Sequence, residues 1–307
     1  MIPGNNHMAI SATSSVVTMP AADKPYPSIL EFLTRRFPNI GSECWQQRIN
    51  EGKVLAADNS PISADTPYSP FKQLLYFREV AQERLIPFAE KILFQDDHLL
   101  VACKPHFLPV TPGGGYVNEC LLNRLRARTG NDDLVPLHRI DRETAGLVMF
   151  SVNRATRGLY SRLFANGMVD KSYQALAECH HVPEETRWTV ENRIVKGDPW
   201  FRMKVVPGQP NSRSRIRLRD VDGSIGRFDL SPDTGKTHQL RIHMGGLGFG
   251  ILNDRYYPDL QPERADDFEN PLRLIAKMVR FRDPLNGREM EFSSERELLW
   301  QPGPFEV

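Results

Sequence analysis

Two apolar runs, Ile92–Phe94 and Leu99–Cys103, are separated only by the polar residues Gln95, Asp96, Asp97 and His98. That spacing reads as a hairpin, and a hairpin commits its two strands to antiparallel pairing. Pro105 ends it. The pieces that follow are short and change in kind: a helix from Asn118 through Leu121, Leu122 and Leu125 that stops before Gly130, then a strand over Leu147–Val152. Next come a helix capped by Asn153, with Leu159, Tyr160, Leu163 and Phe164 on one face and Asn166 and Gly167 at its end, and a strand over Ser172–Ala177. Segments this short and irregular do not build a doubly wound parallel sheet. The expected fold class is α+β, with a mixed, mainly antiparallel sheet in the main domain.

A small α/β module is expected ahead of that domain. Residues 1–27 are rich in Ala, Ser, Thr, Pro and Gly without periodicity and read as a mobile tail. Ser28 and Glu31 have capping-box spacing, with Ile29, Phe32, Leu33 and Phe37 at helical intervals before Pro38. A second helix, Ser42–Asn50, carries Trp45 and Ile49 and is followed by an extended Lys53–Leu55. The Pro-rich stretch over residues 58–90 places the boundaries at 28–85 for the module and 86–307 for the main domain. The acidic segment Asp259–Glu269 reads as a solvated insertion.

Composition narrows the partners. Lys and Arg number 39 against 38 Asp and Glu, a formal net charge of +1, so attraction to a polyanion must come from local patches. Cys44, Cys103, Cys120 and Cys179 form no CxxC pair, which argues against a disulfide framework or a zinc knuckle and fits a reducing cytoplasm. No apolar stretch approaches the roughly 18 residues that span a bilayer, and no basic-then-apolar leader opens the chain. A cytoplasmic protein outside the membrane is expected.

Three segments carry candidate chemistry. In HRIDRETAG, His138–Gly146, Asp141 sits on a turn between Arg139 and Arg142, an environment that suits an ionised nucleophile, a base or a phosphate-side anchor better than a proton donor. Alone, it reads more readily as a turn aspartate paired with a neighbouring arginine. In KSYQA, strand alternation puts Lys171, Tyr173 and Ala175 on one face. In TGKTHQLRIH, Thr234–His243, a glycine turn and a capping Thr237 lead into a helix that sets His238 and Arg241 one turn apart, making Arg241 a candidate partner for Asp141. Arg213, Arg215, Arg217 and Arg219 alternate along an expected strand as a phosphate track or a solvated face. A spacing of five sets His238 and His243 on different faces, which argues against zinc, and Gly113–Gly115 lacks the surroundings of a nucleotide cradle and reads as a flexible loop near the substrate.

With these three segments in this order, the chain resembles the RluA-like pseudouridine synthases, which isomerise uridine in structured RNA. Their aspartate motif has the form HRLDxxTSG; here Ile140 stands for leucine and Ala145 for serine, and Lys236 replaces the commoner arginine of GRxHQLRxH. Further likeness runs through DDHLLVACKP, ILNDRYY and LRLIAKMVRF, the last departing at Ile275, and covers roughly residues 90–300. The stretch WQQRINEGKVL resembles a small RNA-binding module shared with a ribosomal protein, without the usual basic residues on its helices.

The resemblance implies a pseudouridine synthase-like catalytic domain that needs no cofactor and no metal, acting as a monomer on ribosomal or transfer RNA. It also implies roles. Asp141 attacks the anomeric carbon or removes a sugar proton, Tyr173 stacks on the base and can relay the proton lost from carbon 5, and Arg241 holds Asp141. RNA contacts are expected from Arg139, Lys171, Arg213, Arg215, Arg217, Lys236 and His238. The alternatives are a non-catalytic RNA-binding or ribosome-assembly factor and, from a different class, a nucleoside hydrolase.

Overall fold

The computed structural model describes residues 9–11, 14–21 and 26–300. It forms two compact units, one from the chain up to Arg84 together with Gly113–Asn118, the other from Leu85–Pro112 and the chain from Glu119 onward.

The first unit runs β1 (Ala9–Ile10), β2 (Ser15–Thr18), α1 (Ile29–Arg36), α2 (Ser42–Asn50), β3 (Val54–Ala56), β4 (Gln73–Tyr76) and β5 (Glu79–Val80). Strands β2, β4 and β3 make a three-stranded antiparallel sheet, and β1 pairs with β5. Helix α1 starts as its sequence dictates, with Ser28 Oγ accepting from the Glu31 backbone N–H at 3.3 Å. Phe32, Leu33 and Trp45 from the helices meet Val17, Val54 and Leu74 from the sheet, with Met19 just beyond β2, in one core. The mobile tail expected to residue 27 is therefore corrected in its described part, because Ser15–Thr18 is a paired strand and Met19 is buried. A four-residue strand held by a partner far along the chain leaves no period long enough to read locally. Residues 1–8, 12–13 and 22–25 of that expected tail lie outside the described residues.

Gly113–Gly115, expected as a flexible loop, belong with the residues up to Asn118 to this unit. Glu83 Oε1 accepts from the backbone N–H of Val117 and Asn118, and Asn118 Nδ2 donates to the Ile10 carbonyl.

The second unit contains β6 (Lys91–Gln95), β7 (Leu99–Lys104), α3 (Leu121–Thr129), β8 (Val135–Pro136), β9 (Ala145–Ser151), α4 (Arg157–Ala165), β10 (Val169–Glu178), β11 (Arg187–Lys196), β12 (Met203–Val206), β13 (Ser212–Asp222), β14 (Ile225–Pro232), α5 (Gln239–Gly246), β15 (Leu274–Arg282) and β16 (Glu289–Ser293). Its sheet has the order β12-β11-β13-β14-β10-β15-β9-β7-β6, with β16 beside β15 and β8 beside β9. The hairpin read from Ile92–Cys103 is β6–β7, its turn closed by Asp96 Oδ1, which accepts from the backbone N–H of His98 and Leu99. Gly130 ends α3 with φ +67, the left-handed cap that glycine adopts without strain. Asn153 does not cap α4 as expected. Its side chain closes a tight turn onto Ala155, and the helix begins three residues further on.

Every pairing in this sheet is antiparallel except one, β9 against β15, where Ala145 and Gly146 face Ile275 and Ala276. The expected mixed, mainly antiparallel sheet is what forms. Gly146 has φ +110, and a Cβ placed there would stand 2.2 Å from the Ala276 carbonyl oxygen. Backbone blocks backbone, so no side-chain rotation relieves the clash. Gly146→Ala is expected to cost about 2–3 kcal/mol from the left-handed backbone and the forced separation of the strands. A chemical-denaturation midpoint unchanged from the wild type would contradict it.

Helix α5 covers one face of the sheet, where Leu240 and Met244 pack on Ile216, Phe228, Leu230 and Ala175. Each large side chain buried there stabilises by roughly 1.5–3 kcal/mol. Strand alternation turns Arg213, Arg215, Arg217 and Arg219 to the opposite, exposed face.

Candidate active site

Asp141 lies on the turn between His138 and β9, and the turn is held from below and from both sides. Asp141's own carbonyl accepts from the Thr144 N–H at 3.1 Å. Beneath it, fully buried Lys104 donates from Nζ to the carbonyls of Pro105, Leu108 and Arg142 at 2.9, 2.6 and 3.0 Å. Burial pulls the Lys104 pKa down to about 7, with the Glu143 carboxylate opposing the shift. His138 stacks on Phe164 at 4.7 Å and accepts the Met149 N–H on Nε2. Burial holds it neutral, with a pKa of about 3.

The acidic insertion is not wholly solvated as expected. Asp266 grips the Arg142 guanidinium with both oxygens at 2.8 Å, and the Phe268 ring packs against Phe88 and Phe107. An aromatic and a fork-matched acid inside the charged run account for the docking.

The Asp141 side chain is 22% exposed and faces a cavity of about 420 Å³, within the range of small-ligand sites. Across the cavity wall stands Arg241, on the first turn of α5. Its strongest partner is not Asp141 but Asp254. Nε and Nη2 bind the two Asp254 oxygens at 2.7 and 2.6 Å, and Asp254 Oδ1 also accepts from the backbone N–H of Tyr256 and Tyr257. The remaining nitrogen, Nη1, is 3.5 Å from Asp141 Oδ2 and 3.7 Å from Glu143 Oε2. The rings of Tyr256 and Tyr257 lie 4.9 and 5.5 Å from the guanidinium carbon. Burial favours the neutral form of Glu143, but Arg241 and Arg142 outweigh it and its pKa ends below the usual range.

Helix α5 opens differently from its expected cap. His238 occupies the N-cap with φ 54, and no side chain caps the helix. Gln239 instead reaches back and braces the turn ahead of the helix, its Oε1 accepting from the Lys236 N–H and from Thr234 Oγ1. Thr237 is left exposed. The left-handed His238 points Nδ1 at the Tyr257 hydroxyl, 3.0 Å away, and Nε2 at Asp141 Oδ1, 4.0 Å away. Burial lowers its pKa, with Asp141 opposing.

Arg139, Lys171, Tyr173 and Lys236 line the same cavity as Asp141, His238 and Arg241. Burial and the charge of Asp141 both raise the Tyr173 pKa, which keeps its hydroxyl protonated. Burial lowers that of Lys171, against the pull of Asp233. Arg213, Arg215 and Arg217 do not join this group. They lie on the outer sheet face, where Arg213 pairs with Glu191 and Asp233 at 3.2 Å and Arg215 with Asp233 at 2.9 Å. Asp233, on the cavity rim, is the link between that stripe and the site.

Sequence reading did not single out Asp254, Glu143, Lys104 or Tyr256. The available signal for Asp254 was its place in ILNDRYY together with the demand of any buried arginine for a buried acid. Among the described residues no cluster of His, Cys, Asp and Glu could hold a metal ion, and no helix is long and apolar enough to cross a membrane.

Residues 98–245 match the family model for RNA pseudouridylate synthase. The dual-specificity RNA pseudouridine synthase RluA of Haemophilus influenzae is 30% identical over 215 residues, spanning 67% of this chain and 93% of that protein. Ribosomal large subunit pseudouridine synthase C of Escherichia coli is 30% identical over 221 residues, 69% of this chain and 68% of its own length. The solved structure of human RNA pseudouridylate synthase domain containing 1 shares the fold, with a TM-score of 0.58 over 74% of this chain and 94% of that one at 23% identity. On these matches, over the stretch that carries the Asp141 turn, β10 and α5, the chain belongs to the RluA-like family of RNA pseudouridine synthases, isomerases that act on uridine in RNA.

Proposed function

We propose that the cavity receives a uridine flipped out of folded ribosomal or transfer RNA, and that Asp141 is the carboxylate that reacts with it. The bond between ribose C1′ and uracil N1 breaks, the base turns, and C1′ joins C5; one proton leaves C5 and one is gained at N1. Atoms and electrons balance without an oxidant or an energy source. Asp141 either attacks C1′ or removes the proton on C2′ to give a glycal, and both routes need a free carboxylate oxygen facing the sugar.

The observation that carries this reading is the placement of Asp141 at the cavity beside a buried arginine with one nitrogen left over. Arg241 is fixed by Asp254, and its Nη1 makes no hydrogen bond of its own. That nitrogen orients the Asp141 oxygens and balances charge as the carboxylate reacts. Extruding a base costs a few kcal/mol, and stacking on an aromatic ring returns about 1–3 kcal/mol. Tyr173 supplies the ring, and its protonated hydroxyl is the relay for the C5 proton. Arg139, Lys171, Lys236 and His238 contact phosphates and sugar around the cavity, with Arg139 also placed to fill the gap the base leaves. Arg213, Arg215 and Arg217 extend phosphate contacts onto the outer sheet face. The enzyme acts as a monomer in the cytoplasm.

Ribosomal and transfer RNA from cells lacking the protein, incubated with it and digested to nucleosides, should yield pseudouridine. Release of free uracil would instead identify a hydrolase, and no change in either RNA would remove both as substrates. Tyr173→Phe keeps the ring and deletes the relay. It is expected to lower the single-turnover rate on the order of 10²–10⁴-fold with RNA affinity kept; an unchanged rate would leave the ring as the whole contribution.

A further inference from the structure

The most exposed large apolar side chain among the described residues is Trp200, at 79%, on the tip between β11 and β12. Its surroundings are not those of a loose loop. The tip is closed by Gly197 N–H to the Arg202 carbonyl and Arg202 N–H to the Pro199 carbonyl, both at 2.8 Å. Arg202 then anchors it, donating to the Pro258 carbonyl at 2.9 Å with its guanidinium 5.1 Å from the Tyr257 ring centre. The indole is thus held out into water by a structure that is itself tied down, which removes the ordering cost a binding group otherwise meets.

From Trp200 a row of rings leads to the catalytic cavity. Trp200 meets Phe201 at 6.0 Å, Phe201 meets Tyr256 at 5.3 Å, and Tyr256 meets His238 at 5.6 Å. His238 lines the cavity beside Asp141. Lys196 and Lys204 stand exposed on the two strands leading to the tip, against the single acid Asp198 within it. An aromatic ring offered to solvent, cations beside it, and a stepwise aromatic path to a nucleoside-sized cavity are the components of a single-strand stacking site, in which any base fits because every base has a π-face.

We propose that Trp200 is a stacking platform for an unpaired base adjacent to the target uridine, so that the RNA is gripped at one nucleotide while the next enters the cavity. The inference rests on the reading of that cavity as the uridine site. It assigns to the β11–β12 tip a preference for targets in loops, where neighbouring bases are free to splay.

The test uses a fluorescein-labelled hairpin RNA with one uridine in its loop, and the same hairpin with abasic sites on either side of that uridine. Trp200→Ala should weaken binding of the intact hairpin by about tenfold, the scale of one lost base–aromatic stack. Trp200→Phe should recover most of the loss, and the abasic hairpin should bind wild type and Trp200→Ala alike. Equal affinity of wild type and Trp200→Ala for the intact hairpin overturns the proposal, as does an equal loss with the abasic one. Because binding is read directly, a protein that forms no pseudouridine but still loses affinity on Trp200→Ala would sink the isomerase reading and keep the platform.

Discussion

Asp141→Asn is expected to leave pseudouridine formation at least about 10⁴-fold below the wild type, with the fold and RNA affinity nearly unchanged. The amide has the shape of the carboxylate but neither bonds to C1′ nor takes a proton from C2′. Structural loss is small because the side chain is partly exposed and its neighbours, Arg241 Nη1 and His238 Nε2, stand at 3.5 and 4.0 Å, outside close hydrogen-bond range. Arg241 stays in place because Asp254 holds it from the other side. Single-turnover isomerisation of a uridine-containing RNA, with binding measured in parallel, separates the two effects. A rate within tenfold of the wild type would remove Asp141 from the chemistry.

Asp254→Ala should act through stability first, at about 3–5 kcal/mol, the scale for stripping one partner from a buried ion pair. The Asp254 carboxylate is wholly inaccessible to solvent and accepts from two guanidinium nitrogens and two backbone N–H groups. Its removal leaves all four donors without that acceptor and a buried cation without its counter-charge. The double change Arg241→Met with Asp254→Leu removes both charges and should recover much of the stability while activity stays lost, because no cation then faces Asp141. Urea midpoints and isomerisation rates on the three proteins decide it. Activity in the double variant near the wild-type level would show that Arg241 serves the fold alone.

What could be read from the sequence was what local chemistry fixes. The β6–β7 hairpin, the left-handed end of α3 at Gly130 and the cap of α1 at Ser28 each follow from a few adjacent residues. Asp141, Tyr173 and Arg241 were legible as motifs, and they do meet at one cavity. The misses depend on partners brought together by the fold. Ser15–Thr18 becomes a strand because Gln73–Tyr76 pairs with it, and Arg241 turns to Asp254 because the chain folds back between them. The cap position of α5 falls on His238 and not Thr237, in a turn that Gln239 braces by reaching back to Thr234 and Lys236. The Arg213–Arg219 alternation was correct as geometry, but periodicity alone does not say which side of a sheet α5 will cover.

The lone parallel contact in the sheet has a geometric consequence. Ala276 on β15 faces Gly146 on one side and Tyr173 on the other, so the strand that leaves the Asp141 turn and the tyrosine across the cavity are indexed to one residue. The gauge between them is two interstrand steps, each about 4.8 Å, a length set by backbone hydrogen bonding rather than by any loop. Loops at the rim are then free to diverge toward different RNAs without altering the bite of the enzyme. A one-residue slip of β15 would mis-set that gauge even if every side chain at the cavity were kept.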